Sequence, residues 1–163
     1  MKLIILRGLP GCGKSTIAEI LSENLECSVV YGDFFKREFL VKNKNFQEAC
    51  EYSYKKIFEE VEKYAEKKEE VVIIEELFDN KEFVERIKNF CRENNIQIYW
   101  FYIKRELEKL LEVEQKRDRK IKNTVDDFKK LQDSLNEIKN EGEIVVDNNG
   151  NIEESINFVL NKI

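Results

Sequence analysis

The residues Gly8-Leu9-Pro10-Gly11-Cys12-Gly13-Lys14-Ser15-Thr16 satisfy the spacing GxxxxGK[ST], directly behind the apolar run Leu3-Ile4-Ile5-Leu6 and ahead of a helical pattern. Glycines at 8, 11 and 13 let a backbone curl with several N–H groups turned inward, while a helix opening near Lys14 points its positive end at the same place. In such an anion cradle Lys14 reaches the β and γ phosphates of a nucleoside triphosphate, and the Ser15 hydroxyl ligates a bridging Mg2+. Thr16 reads as a helix-wall residue beside the site rather than a metal ligand. The competing reading is a glycine-rich turn that only joins strand to helix.

Asp33 stands in Tyr31-Gly32-Asp33-Phe34-Phe35-Lys36-Arg37, where an apolar run gives way to a helical pattern. A carboxylate there can accept the proton of an attacking hydroxyl, can cap the helix, or can do both. Lys36 and Arg37 follow one helical turn on, as cations able to orient a phosphate or sugar of an acceptor. Arg37 has the planar fork suited to phosphate, and Lys36 holds the closer helical position to Asp33. Glu75 and Glu76 end the run Val71-Val72-Ile73-Ile74 like the acidic end of a Walker B strand, with Glu75 the expected metal partner. The basic stretch Lys116 to Lys122, containing Arg117 and Arg119, precedes Thr124-Val125-Asp126-Asp127, whose T-x-x-D order predicts a capping box. As a lid it would stabilise charge on a transferred phosphoryl group and exclude water; as a solvated loop it needs no function.

These groups need a scaffold, and the hydrophobic pattern supplies one. Apolar runs at residues 3–6, 28–31, 71–74, 96–103 and 143–146 alternate with helical patterns over 14–25, 34–42, 46–68, 81–93, 105–117, 125–139 and 152–161. That alternation predicts an α/β three-layer fold, a five-stranded parallel sheet with helices on both faces, whose ligands gather at the carboxyl ends of the strands. Within 46–68, Phe46, Cys50, Ile57, Phe58, Val61 and Ala65 recur at helical spacing and are expected in the core. A length of 163 residues suits a single domain, with a lid region over about 105–135.

Composition removes several classes of chemistry. Histidine is absent, which excludes histidine bases, serine triads and the usual zinc sites, so any catalysis falls to carboxylates, cations and metal. Cysteines at 12, 27, 50 and 91 form no C-x-x-C pair and read as reduced thiols. With 42% hydrophobic and 37% charged residues, and no apolar run of spanning length, a soluble chain with no membrane partner is expected. The start MKLIILRG enters a strand at once, so no targeting segment and a cytoplasmic location are expected.

In this order the motifs resemble the small P-loop kinases grouped with polynucleotide 5'-hydroxyl kinases and archaeal seryl-tRNA kinases, across essentially the whole chain. The phosphate loop is GLPGCGKST, the D-x-x-R feature looks like Asp33-Phe34-Phe35-Lys36 with Arg37 adjacent, and the lid looks like Arg117-Asp118-Arg119-Lys120-Ile121 leading to Val125 and Phe128. The resemblance implies phosphoryl transfer from ATP to an alcohol, with Asp33 as the base and Arg117 and Arg119 clamping phosphates. The chain departs from the group at Lys36, where arginine is usual, at Glu75-Glu76-Leu77-Phe78, where aspartate followed by Asn or Thr is common, and at Val113, where a lid arginine is common. The additional carboxyl-terminal domain with which seryl-tRNA kinases hold tRNA is not expected here.

The leading expectation is an ATP- and Mg2+-dependent phosphotransferase acting on a nucleic-acid 5'-hydroxyl or a nucleoside. A net charge of -5 weighs against long nucleic-acid contacts, so a small-molecule kinase is the first alternative. A P-loop hydrolase or switch, with Glu75 or Glu76 activating water, and a nucleotide-binding module without turnover are the remaining classes.

Overall fold

Runs rich in Ile, Val and aromatic residues form five strands: β1 (Lys2–Arg7), β2 (Ser28–Tyr31), β3 (Val71–Glu75), β4 (Gln97–Lys104) and β5 (Ile144–Asp147). In this computed structural model, which describes residues 1–118, 122–138 and 140–163, they make one parallel sheet in the order β2-β3-β1-β4-β5. Parallel neighbours require crossovers, and the helices provide them: α1 (Lys14–Leu25), α2 (Gly32–Lys42), α3 (Phe46–Glu66), α4 (Lys81–Glu93), α5 (Leu107–Lys116), α6 (Val125–Glu137) and α7 (Ile152–Leu160).

The central strand explains the layering. Side chains alternate across a sheet, so Leu3 and Ile5 join one apolar layer with Ile57 and Val61 of α3 and Val84 and Ile87 of α4. Ile4 and Leu6 join the other, with Ile17 and Leu21 of α1, Phe128 of α6 and Ile156 of α7. All four β1 residues are fully buried, which is why the run reads as continuous hydrophobe rather than as an alternation. Burial of each such side chain contributes about 1.5–3 kcal/mol.

Two local expectations are corrected. Helix α2 starts at Gly32, two residues before the expected start, with Tyr31 as its N-cap; Asp33 therefore lies inside the first turn and is not the cap. Phe46, expected in the core, is 65% exposed, while Ile57, Phe58 and Val61 are buried and Cys50 and Ala65 are half-buried. The cause is length. A helix of 21 residues spans roughly 31 Å, whereas strands of four or five residues span roughly 17 Å, so the first turn of α3 overhangs the sheet.

Candidate active site

The strand register brings the chemistry-bearing segments to one level. Glu75, the last residue of β3, is paired with Leu6 of β1 on one side and with Tyr31 of β2 on the other. The glycine loop, the start of α2 and the two glutamates thus leave the sheet together at its carboxyl edge.

The loop is shaped by backbone that only glycine takes easily. Gly8 has φ +147° and Gly13 φ +100°, and a Cβ on either would collide, with the Ile103 carbonyl of β4 and with the Asn148 amide respectively. Most helices here are closed at their N-termini by side chains: Asn45 for α3, Asn80 for α4, Thr124 for α6 and Asn151 for α7. The expected capping box forms, with Thr124 and Asp127 bonding each other's backbone N–H. Helices α1, α2 and α5 have no side-chain cap, so the N-terminus of α1, which opens directly from the loop, and that of α2 at the same sheet edge keep their donors open.

Lys14 curls into its own loop. Its buried ammonium donates to the carbonyls of Gly8 at 2.8 Å and Leu9 at 3.2 Å, and lies 3.5 Å from Glu75 Oε1. Burial disfavours this cation, but Cys12 and the surrounding carboxylates, Glu75 foremost, outweigh the burial and hold its pKa above the ordinary lysine value. Ser15 Oγ donates to Glu75 Oε2 at 3.2 Å. Leu9 and Cys12 are buried, Pro10 and Gly11 half-buried, and Thr16 exposed. Among the described residues no group of three or more His, Cys, Asp or Glu gathers as a metal cluster. The Ser15 hydroxyl and Glu75 carboxylate are adjacent hard oxygen donors, a set that suits Mg2+ sharing its remaining positions with phosphate and water.

Glu76 faces the other way. Its carboxylate takes Lys36 Nζ at 2.5 Å and the Leu77 N–H at 2.7 Å, and it is 3% exposed. Burial pushes this carboxyl above the usual range against the pull of Lys36, and Lys36 in turn, although buried, is held above its ordinary value by Glu76 and Asp33. Lys36 Nζ also lies 3.5 Å from Oδ1 of Asp33, whose side chain is 67% exposed. Arg37 is exposed. In the lid region Arg117 pairs with the buried Glu114 at 3.6 Å, and Glu114 also accepts the Asn123 N–H at 2.8 Å. Arg119, with Lys120 and Ile121, lies outside the described residues.

Several residues that shape the site escaped the sequence reading. Arg7, 1% exposed, reaches from the last position of β1 to the carbonyls of Leu135 and Ile138, both at 2.7 Å, so it ties the start of the phosphate loop to the end of α6. Both carbonyls belong to the helix C-terminus, where the negative end of the dipole makes them a natural target for a cation. Asn148, after β5, donates to the Cys12 carbonyl at 2.7 Å and accepts from Ser155, and Arg105 donates to the Gly11 carbonyl at 3.3 Å. A lone arginine between an apolar strand and a glycine was the one available signal for Arg7; nothing in the sequence marked Asn148 as a prop.

A family model described as AAA domain matches residues 4–130. The chain belongs to this AAA domain family. Solved structures similar over nearly the whole chain include a kinase described as putative from Chloroflexus aurantiacus j-10-fl, 15% identical, covering 99% of this chain and 94% of that one with a TM-score of 0.73. A gluconokinase from Sinorhizobium meliloti 1021 is 15% identical over 98% and 90% at a TM-score of 0.67, and shikimate kinase from Aquifex aeolicus vf5 is 24% identical over 98% and 94% at 0.66. No curated protein matches the chain. The five-stranded parallel sheet with helices on both faces is thus a fold shared with these kinases, and it is the three-layer arrangement that the alternation of strands and helices predicts. No helix among the described residues is long and apolar enough to cross a membrane.

Proposed function

We propose that this family member transfers the γ-phosphoryl group of ATP to a hydroxyl of a small molecule. The observation that carries the reading is the pairing of Glu75 with both Leu6 and Tyr31, which puts Asp33 on the same edge as Lys14 and Ser15. Loop N–H groups, the open end of α1 and Lys14 bind the phosphates. Ser15 and Glu75 would hold Mg2+, which when bound offsets charge on the β and γ phosphates. The acceptor oxygen attacks the γ phosphorus, the bond to the β-phosphate oxygen breaks, ADP leaves, and Asp33 takes the hydroxyl proton. On this reading Arg117 would leave Glu114 to meet charge on the transferred group, and Arg37 is an exposed cation on the helix that carries Asp33.

A small acceptor is favoured over a nucleic-acid end by how four of the cations between residues 104 and 130 are used. Arg105, Lys109, Arg117 and Lys122 each bind a neighbour within the fold, at Gly11, Asn149, Glu114 and Gln115 respectively. Cations committed in this way are less available to phosphodiesters, and a net charge of -5 weighs against long nucleic-acid contacts. The kinases named above act, by name, on small molecules in two cases. The test is incubation with γ-labelled ATP, Mg2+ and separate panels of sugars, sugar acids, cyclic hydroxy acids, nucleosides and 5'-hydroxyl oligonucleotides. Label in a small organic phosphate is expected. Label only in oligonucleotides would return the acceptor to nucleic acid, and label only in free phosphate would overturn transfer altogether.

A further inference from the structure

Beneath Asp33 lies a knot of polar groups drawn from separate elements. Glu76 Oε1 takes two donors, Lys36 Nζ and the Leu77 N–H. Its Oε2 lies 3.3 Å from Ser53 Oγ of α3, and that same hydroxyl donates to the Gly32 carbonyl at 2.9 Å in the first turn of α2. Glycine is needed at 32 for space: a Cβ there would overlap the Glu76 carboxylate. The loop that follows Glu76 is itself over-determined. Phe78 sits at φ +58° and is fully buried against Phe83 and Trp100, while Tyr54 Oη donates to Asp79 Oδ1 at 2.5 Å. A non-glycine residue in that backbone region is strained and persists only when its surroundings hold it.

We infer that Glu76 is a positioning residue: with Ser53 and Gly32 it fixes the Lys36 ammonium so that this cation orients the Asp33 carboxylate toward the acceptor hydroxyl. The inference rests on the reading of Asp33 as the base. Two features separate it from a device for stability. A buried ion pair is commonly replaceable by apolar side chains without loss of stability, so stability alone does not require Lys36 and Glu76. The far end of the chain of contacts is an exposed carboxylate, whose pairing contributes little to folding. What the arrangement does supply is a long, flexible lysine side chain held in one rotamer, with its charge presented to a single outward-facing group. Asp33 makes no other side-chain hydrogen bond or ion pair among the described residues. Lys36 is thereby assigned to the base and not to the acceptor.

The experiment compares wild type, Asp33→Asn and the double variant Lys36→Met with Glu76→Leu, in steady-state transfer to the small acceptor with the melting temperature recorded for each. The double variant is expected to melt near wild type, to keep the KM for ATP within about twofold and to lose about 10²-fold in kcat, the scale of a misplaced catalytic group. Lys36→Arg, which keeps a cation against Glu76, is expected to retain most of kcat. Wild-type kcat in a folded double variant, with Asp33→Asn inactive, overturns the inference and leaves the base intact. Wild-type kcat in Asp33→Asn overturns the base reading and the inference together. Should the double variant fail to fold, Gly32→Ala decides on the same terms, because it keeps both charges and its Cβ meets the Glu76 carboxylate first.

Discussion

Two consecutive glutamates at the end of one strand meet two lysines and have opposite fates. Glu75 stands 3.5 Å from Lys14, whose ammonium also hydrogen-bonds two loop carbonyls, and it accepts from a serine on an exposed turn. Glu76 stands 2.5 Å from Lys36 and spends its remaining capacity on a backbone N–H and a buried serine. The first pair is loose and shared, as suits groups that the proposed transfer would re-pair with phosphate and metal. The second is tight and closed, as suits a support. Alternation of side chains along an extended backbone is what sends neighbours in sequence to different compartments.

The largest effect is expected where the loose pair meets phosphate. Lys14→Met should lower transfer by about 10²–10³-fold, the scale of removing one preorganised charge-stabilising group. Retention of full transfer would deny Lys14 its role. Next comes a contrast in stability. Glu76→Gln breaks a closed buried pair and should cost about 3–5 kcal/mol in urea unfolding, whereas Glu75→Gln should cost about 1–2 kcal/mol and act chiefly by raising the Mg2+ requirement. Equal losses would erase the distinction between the pairs.

A smaller effect involves the thiols. Burial pushes Cys91 up to about 12 from 9.0, so the folded chain keeps a proton that the unfolded chain releases. Its contribution to stability is therefore complete below pH 9 and is lost as pH climbs toward 12, and alkylation at pH 8 should reach the half-buried Cys27 and Cys50 well before Cys91. Rapid labelling of Cys91 in the native protein would contradict its burial in the layer shared by the Glu76 side of the sheet. The smallest effect is at the overhang: Phe46→Ser should change stability by no more than about 0.5 kcal/mol, against about 2–5 kcal/mol for Ile57→Ala on the same helix.

How far the sequence carried varied with the range of the interactions involved. The glycine loop, β1 and α1 were legible because fixed residues, a continuous apolar run and helical spacing all lie within 25 positions. The T-x-x-D box was legible for the same reason, since both its partners are local. Phe46 misled because periodicity reports a helix face and not where the sheet beneath it stops. The start of α2 was misjudged because Tyr31 caps it with no side-chain bond to advertise the position. The separate tasks of Glu75 and Glu76, the burial of Arg7 against the end of α6, and the Asn148 prop each depend on partners 40 to 136 residues away, which no local pattern encodes.

The measurement that bears most directly on the division between donor and acceptor sides is a paired determination on Asp33→Asn: ATP affinity by calorimetry and transfer to the small hydroxyl acceptor with γ-labelled ATP. An ATP Kd within about twofold of wild type is expected, with transfer lower by about 10²–10⁴-fold, the usual contribution of a general base. Unchanged transfer, or a loss of ATP binding as large as the loss of transfer, would contradict that division.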